Sequence, residues 1–364
     1  MMMTQSSQDN NNKSSTTTNY HRAYLVLAFL LVLSVCQVFL GGSNLPDGNR
    51  WLNIVTCNEE GVVGTNSSSS STNVTTSFND NFKLLTTSRR SQQVCSAEPL
   101  KAKDATNKEW QSLCNESLID AFDTTLAQGR LAHVIQIGAH VGFEENDPLA
   151  HGMLTYLQLL TPLELDRFHW TFVEPSPPNF RRLQHNLQKR RDVCRMDALN
   201  FAVVPDQDYH QGESNKLTFY SIRDTVDPET GYDSLSHKKL PKFITQVSSF
   251  HPGAIKYNAG VFHRKGLDPK DYIVKTNVTV KGISTLIDEV MGFDKTAPDL
   301  VLVDTEGQDC AILESMSNKT LLPRFIIFET HCKQKPTFTH LQSLGYRVRQ
   351  VSKHNALAVS TSPR

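Results

Sequence analysis

Four stretches of the chain set carboxylates, glycines or histidine directly after an apolar run. The first is Val134-Ile135-Gln136-Ile137-Gly138-Ala139-His140-Val141-Gly142, the pattern of a buried parallel strand turning into a helix. Glycine in such a turn permits backbone angles that other residues avoid and lets a ligand approach the main chain. The other three are Phe168 to Val173 ending at Glu174, Asp299 to Val303 ending at Asp304 and Glu306, and Phe325 to Phe328 ending at Glu329 and His331. In open α/β sheets the ligand crevice lies at the carboxyl ends of the strands, so these four ends are expected along one edge. A glycine turn there can seat a cofactor, and a carboxylate one strand away can accept from both hydroxyls of a ribose. Asp304, Glu306, Glu329 and His331 are candidate bases for an acceptor proton, and His331 has the ordinary pKa nearest neutrality, about 6.5.

Two common nucleotide sites fit this sequence poorly. A nicotinamide site expects G-x-G-x-x-G with an acid about 20 positions later. This turn holds only Gly138 and Gly142, Glu174 stands 36 residues after Gly138, and no G-x-x-x-x-G-K-[ST] occurs anywhere.

The elements that must position these residues follow from the pattern around them. Strand and helix alternate from about Glu116 to the C-terminus, which implies a mostly parallel sheet covered on both faces. Leu118, Ile119, Phe122 and Leu126 share a helix face that Gly129 can close, and Leu149 to Leu160 reads as a helix. Ser176-Pro177 is a helix start, with serine as cap and proline in the first turn. Ala198 to Val204 is a third short strand, Leu217 to Ile222 another, and Val278 to Ile283 is extended before a helix from Thr285 to Met291. Tyr346 to Val351 and Ala356 to Val359 read as a closing hairpin that adds one antiparallel strand. Residues 223–270 are polar and irregular, a long insertion of the kind that forms lids or reads substrates.

Upstream of the domain the composition changes. Residues 1–22 are rich in Asn, Ser, Thr and Gln and are expected to be a disordered cytosolic tail. Ala23 to Leu40 carries no charge over 18 residues, a helix of roughly 27 Å, close to a bilayer core. Lys13 and Arg22 precede it and no basic residue follows until Arg50. The expectation is a signal anchor over residues 23–42, with the membrane as partner through 23–40 and the bulk of the chain in a Golgi or endoplasmic reticulum lumen. Residues 43–113 form a Ser/Thr/Asn-rich stem, and residues 114–364 the folded domain. Asn66, Asn73, Asn115, Asn277 and Asn318 open N-x-[ST] tripeptides.

Thirty-seven basic and 37 acidic residues balance, which argues against a nucleic-acid partner held by gross charge. Of seven cysteines, six lie outside the apolar run; the even number suits disulfides in a secretory compartment, and the absence of C-x-x-C argues against zinc. Cys310 and Cys332 read as buried apolar residues.

The segments IQIGAHVG, FVEPSPPNFRRLQHNL, ALNFAVVPD, Thr285-Leu286-Ile287-Asp288, DLVLVDTEGQDCAILESM and FIIFETH, in that order over roughly residues 130–350, resemble the FkbM-family methyltransferases. The resemblance implies a Rossmann-like α/β fold with a seven-stranded methyltransferase sheet, mostly parallel with one antiparallel strand. It also implies S-adenosyl-L-methionine as cofactor and methyl transfer to a hydroxyl of a small molecule or glycan. By that resemblance Gln136, Gly138, Ala139, His140 and Gly142 line the methionine part of the cofactor. Glu174 holds its ribose, and Ser176, Asn200 and Ala202 lie near the adenine. Asp304 and Glu306 sit beside the transferred methyl, and His331 is the further candidate base. Two positions depart from the family pattern, which usually has an acid where Gln136 stands and asparagine where His140 stands.

Two other readings use the same residues differently. Anchor plus stem is also the layout of luminal glycosyltransferases, and Asp206-Gln207-Asp208 after an apolar strand could hold Mn²⁺. The departures at Gln136 and His140 would also suit a catalytically silent scaffold of methyltransferase fold.

Overall fold

The computed structural model describes residues 90–96, 104–143, 148–191, 193–210, 215–292, 296–330 and 334–362. The expected tail, the anchor and most of the stem lie outside them, as does His331. Among the described residues no helix is long and apolar enough to cross a membrane.

A seven-stranded sheet organises the chain. Its strands are β1 (Ala132–Ile137), β2 (Phe168–Val173), β3 (Arg195–Leu199), β9 (Leu300–Val303), β10 (Phe325–Glu329), β11 (Tyr346–Gln350) and β12 (Asn355–Ser360). The spatial order is β3-β2-β1-β9-β10-β12-β11. All neighbours pair in parallel except at β12, which runs antiparallel to both β10 and β11. The closing hairpin thus inserts its second strand between β10 and its first. Central strands are buried on both faces, β2 at every position, because helices cover each side. One face gathers Val134, Trp170, Phe172 and Leu300 with Phe122, Met153 and Leu183. The other gathers Ile135, Ile137, Val301 and Val303 with Leu286, Ile312 and Leu341.

The domain starts before residue 114. A helix α1 over residues 90–96 and α2 (Asp104–Asn115) belong to it, so the expected stem ends earlier than its composition suggested. Val94, Trp110 and Leu113 are buried against α3 (Leu118–Ala127) and α4 (Pro148–Leu157). The Trp110 indole lies flat on α4 at Gly152, where an added Cβ would stand 2.3 Å from the ring. Cys95 and Cys114 are joined by a disulfide with Cα atoms 5.8 Å apart, and Arg90 reaches the buried Asp123 at 2.7 Å. Cys310 is also disulfide-bonded, which corrects its reading as a plain apolar residue.

Ala198 to Val204 is not one strand. It breaks at Asn200 into β3 and β4 (Ala202–Val204), and β4 leaves the main sheet to pair with β8 (Ile273–Gly282). On its other side β8 pairs with β5 (Lys216–Ile222) in a three-stranded sheet. The segment between them is not irregular. It has a core of Val226, Leu240, Ile244, Val261, Phe262 and Tyr272, a short hairpin of β6 (Tyr232–Asp233) and β7 (Lys238–Lys239), and two short helices, α7 (Pro252–Tyr257) and α8 (Ala259–His263). Beneath them Asp233 is wholly buried and accepts from Arg223 at 2.7 Å, Tyr272 at 2.8 Å and Ser236 at 2.5 Å.

Replacing Trp110 by alanine is expected to cost about 3–4 kcal/mol, since it empties the volume of a buried indole. Urea unfolding of the two proteins measures the difference; a domain that truly began at residue 114 would lose almost nothing.

Candidate active site

The four strand ends do meet. Gly138 leaves β1 with φ +81°, and an added Cβ would stand 1.6 Å from the Asp304 carbonyl oxygen after β9. Only glycine allows the two turns to touch in this way. The turn is tied on its other side to β2. Val173 carbonyl accepts from Gly138 N–H at 2.9 Å and Ala139 N–H at 3.0 Å, and Gly142 N–H closes onto Ala139 at 2.8 Å. His140, in the left-handed region at φ +50°, directs its N–H to Glu174 Oε2 at 2.8 Å.

Glu174 is 4% exposed, and its second oxygen accepts from Ser176 N–H at 2.8 Å. One carboxylate therefore joins the glycine turn to the start of α6 (Pro177–Gln188). Ser176 is at the capping position as expected, yet its hydroxyl makes no capping bond; Glu174 supplies the acceptor nearby instead. Burial pushes the Glu174 carboxyl up to about 7, against the pull of His140 and of the N–H donors. Asn200 reaches across from β3, its Nδ2 donating to the Glu174 carbonyl at 2.8 Å. Ala202 stands apart from this group, buried among Val204, Phe219, Val278 and Val280 in a separate small core. Gln136 is half-buried on β1, in register with Phe172 and Leu302.

The ends of β9 and β10 form an acidic group. Glu306 takes the left-handed conformation at φ +54°. Asp309, buried in the first turn of α10 (Asp309–Ser315), holds the loop by accepting from Thr305 N–H at 2.8 Å and Gly307 N–H at 3.1 Å. Burial, then repulsion from Asp309, raises the Glu306 carboxyl to about 7. Burial, then Glu306 and Asp309, raises Glu329 to about 8. Asp304 is exposed. Sequence reading missed Asp309; its one visible signal was an acid in the first turn of an expected helix.

In Asp206-Gln207-Asp208 the first carboxylate is engaged by a helix start. Asp206 accepts from Ser284 N–H at 3.0 Å and from its hydroxyl at 2.5 Å. It thereby caps α9 (Ile283–Met291), which removes the residue that set up the glycosyltransferase reading. Among the described residues no group of three or more His, Cys, Asp or Glu could hold a metal ion.

A model of the methyltransferase FkbM domain matches residues 136–348, from the glycine turn to β11 and more than half of the chain. The chain belongs to this methyltransferase family. No curated protein matches it. Among solved structures, a precorrin-6y C5,15-methyltransferase from Geobacter metallireducens GS-15 is similar over 68% of this chain and 88% of its own, at 10% identity and a TM-score of 0.26. A protein assigned as a caffeoyl-CoA O-methyltransferase from Staphylococcus aureus is similar over 77% of this chain and 100% of its own, at 9% identity and a TM-score of 0.26.

Family membership implies S-adenosylmethionine, and the residues present fit it. That molecule carries positive charge on sulfur and on its amino group, and the sheet end offers Glu306, Asp309 and Glu329 with their raised affinity for positive charge. An ionised carboxylate has about four acceptor sites; at Glu174 the His140 and Ser176 N–H groups and the Asn179 side chain take three, which leaves one for a ribose hydroxyl.

The raised carboxyls have a measurable cost. A carboxyl held near 7 in the fold and at 4.5 when unfolded binds protons more tightly in the native state. Stability therefore falls as pH rises between those values. Glu306→Gln, which removes that cost, is expected to stabilise the protein by about 3 kcal/mol at pH 9 and not at all at pH 4. Denaturant unfolding at the two pH values checks this, and an equal effect at both would show the raised carboxyl to be wrong.

Proposed function

We propose that the chain is an O-methyltransferase, acting on a hydroxyl of a glycan or smaller acceptor in a secretory lumen. What supports the O-acceptor is the pair of carboxyls, Glu306 and Glu329, held near 7 and 8 at the strand ends. A hydroxyl must lose its proton as the new O–C bond forms, and a base titrating near neutral pH serves that step best. S-adenosylmethionine, when bound, supplies an electrophilic methyl group with a good leaving group. Glu174 and the turn at Gly138 to Gly142 hold it, Glu306 or Glu329 takes the acceptor proton, and alignment of the reacting atoms does much of the rest. The Gln136 side chain can offer a hydrogen bond but no charge, which leaves the carboxylates at the strand ends to supply the counter-charge.

The luminal setting rests on three observations. The uncharged run at Ala23 to Leu40 suits a signal anchor. Disulfide bonding at Cys95, Cys114 and Cys310 suits an oxidising compartment. Asn115, Asn277 and Asn318 are all exposed, as glycan acceptors must be.

The test is transfer of radiolabelled methyl from S-adenosylmethionine to a panel of oligosaccharides, followed by mild alkali. Methyl ethers survive alkali and methyl esters do not. Alkali-stable label, lost in Glu306→Gln/Glu329→Gln, is the expected result; label that alkali removes would place the methyl on a carboxylate and contradict the reading.

A further inference from the structure

Residues 234–267 contain Lys238, Lys239, Lys242, Lys256, Arg264 and Lys265 and no Asp or Glu, in a chain whose 37 basic and 37 acidic residues balance. The excess is concentrated in residues 234–267; over the whole insertion, residues 223–270, eight basic residues stand against five acidic ones. Several of these cations converge. Tyr232 and Lys239 are cross-strand neighbours in the β6–β7 hairpin. The backbone nitrogen of Lys242 comes within 3.4 Å of where a Cβ on Gly231 would stand. The Lys238 ammonium donates to the Lys265 carbonyl at 2.5 Å, which brings the end of α8 alongside. Tyr232 (44% exposed), Leu235 (64%) and Phe243 (44%) stand in solvent at this junction, and Tyr257 on α7 is 90% exposed. Of the bordering acids, Asp268 is exposed just past α8 and accepts from the Lys270 N–H at 2.9 Å. Asp233 is buried and satisfied beneath it. Asp227 and Glu229 line a cleft of about 410 Å³ on the side toward α6, opposite Arg181 and Arg182.

We propose that this basic, ring-bearing face of the insertion binds an anionic polysaccharide whose sugars carry carboxylate or sulfate groups. In doing so it presents the acceptor chain to the sheet end, a clause that rests on the methyl-transfer reading above. Ammonium groups pair with repeated acidic groups and raise the local concentration of a polyanion. Exposed rings offer flat apolar faces to the C–H faces of pyranoses. A membrane surface fits less well. The helices here are six and five residues long, far short of interfacial amphipathic helices, and the exposed apolar side chains emerge singly from separate segments. Nucleic acid also fits less well, since five of the six cations are lysine, while bidentate contacts to phosphate and base edges favour arginine.

The test titrates the full-length protein with polygalacturonate, dextran sulfate, uncharged dextran and poly(U) near physiological salt. A pelleting assay adds phosphatidylserine vesicles. Both acidic polysaccharides are expected to bind and dextran not to. Lys239→Glu/Lys242→Glu is expected to weaken binding about tenfold, and Phe243→Ala to weaken it with the charge intact. Tighter binding to poly(U) or to the vesicles overturns the proposal. So does unchanged affinity in a charge-reversed protein that unfolds at the wild-type temperature. Binding of S-adenosylmethionine, followed on the same samples, is expected to be equal in all of them; its absence in the wild type would overturn the methyl-transfer reading alone.

Discussion

A single buried carboxylate ties the site together. Glu174 accepts from the His140 and Ser176 N–H groups, so it fixes the glycine turn after β1 to the first turn of α6. Taking a carboxylate out of water is costly unless donors meet it, and here two main-chain donors do. The Gly138 contact with Asp304 carries the same constraint across to β9. Three neighbouring strand ends are thereby locked in register, and the acids beyond β9 and β10 lie along the same edge of the sheet. Site and scaffold are therefore one object: a change at Glu174 reaches the glycine turn and the start of a helix together.

The charge layout supports the chemical reading from another direction. The sheet end concentrates carboxylates whose burial, and then their mutual repulsion, raises their proton affinity. Such a group is poor at holding anions and good at holding a cation or taking a proton. Within the insertion between β5 and β8, residues 234–267 carry the opposite charge. On the proposed reading, the acidic sheet end would hold a cationic donor and the basic segment would gather an acceptor.

What the sequence made legible was local in nature. The apolar runs at β1, β2, β9 and β10 end in the turns their glycines and acids suggested, and the closing hairpin contributes the one antiparallel strand, because strand burial and turn chemistry are written in neighbouring residues. What it hid depends on distant partners. Asp206 looked like half of a metal motif, but its partner Ser284 lies 78 positions away. Trp110 sat in a segment read as stem, and its burial needs the bare backbone of Gly152 and the Cys95–Cys114 bridge. The insertion reads as polar and irregular because its core residues, such as Val226, Ile244 and Phe262, come from short pieces with no sustained period. Asp309 is legible as a helix-start acid, but its grip on Thr305 and Gly307 is visible only once the loop is folded.

Glu174 as the hinge of the cofactor seat is the central claim, and calorimetric titration of S-adenosylmethionine tests it most directly. The account expects saturable binding to the wild-type protein and loss of most of that affinity in Glu174→Ala, in samples shown to be folded by circular dichroism. Binding of equal strength in the folded variant would contradict the account, because the carboxylate would then hold the turn without serving the ligand; no binding to the folded wild type would leave the methyltransferase fold without its cofactor.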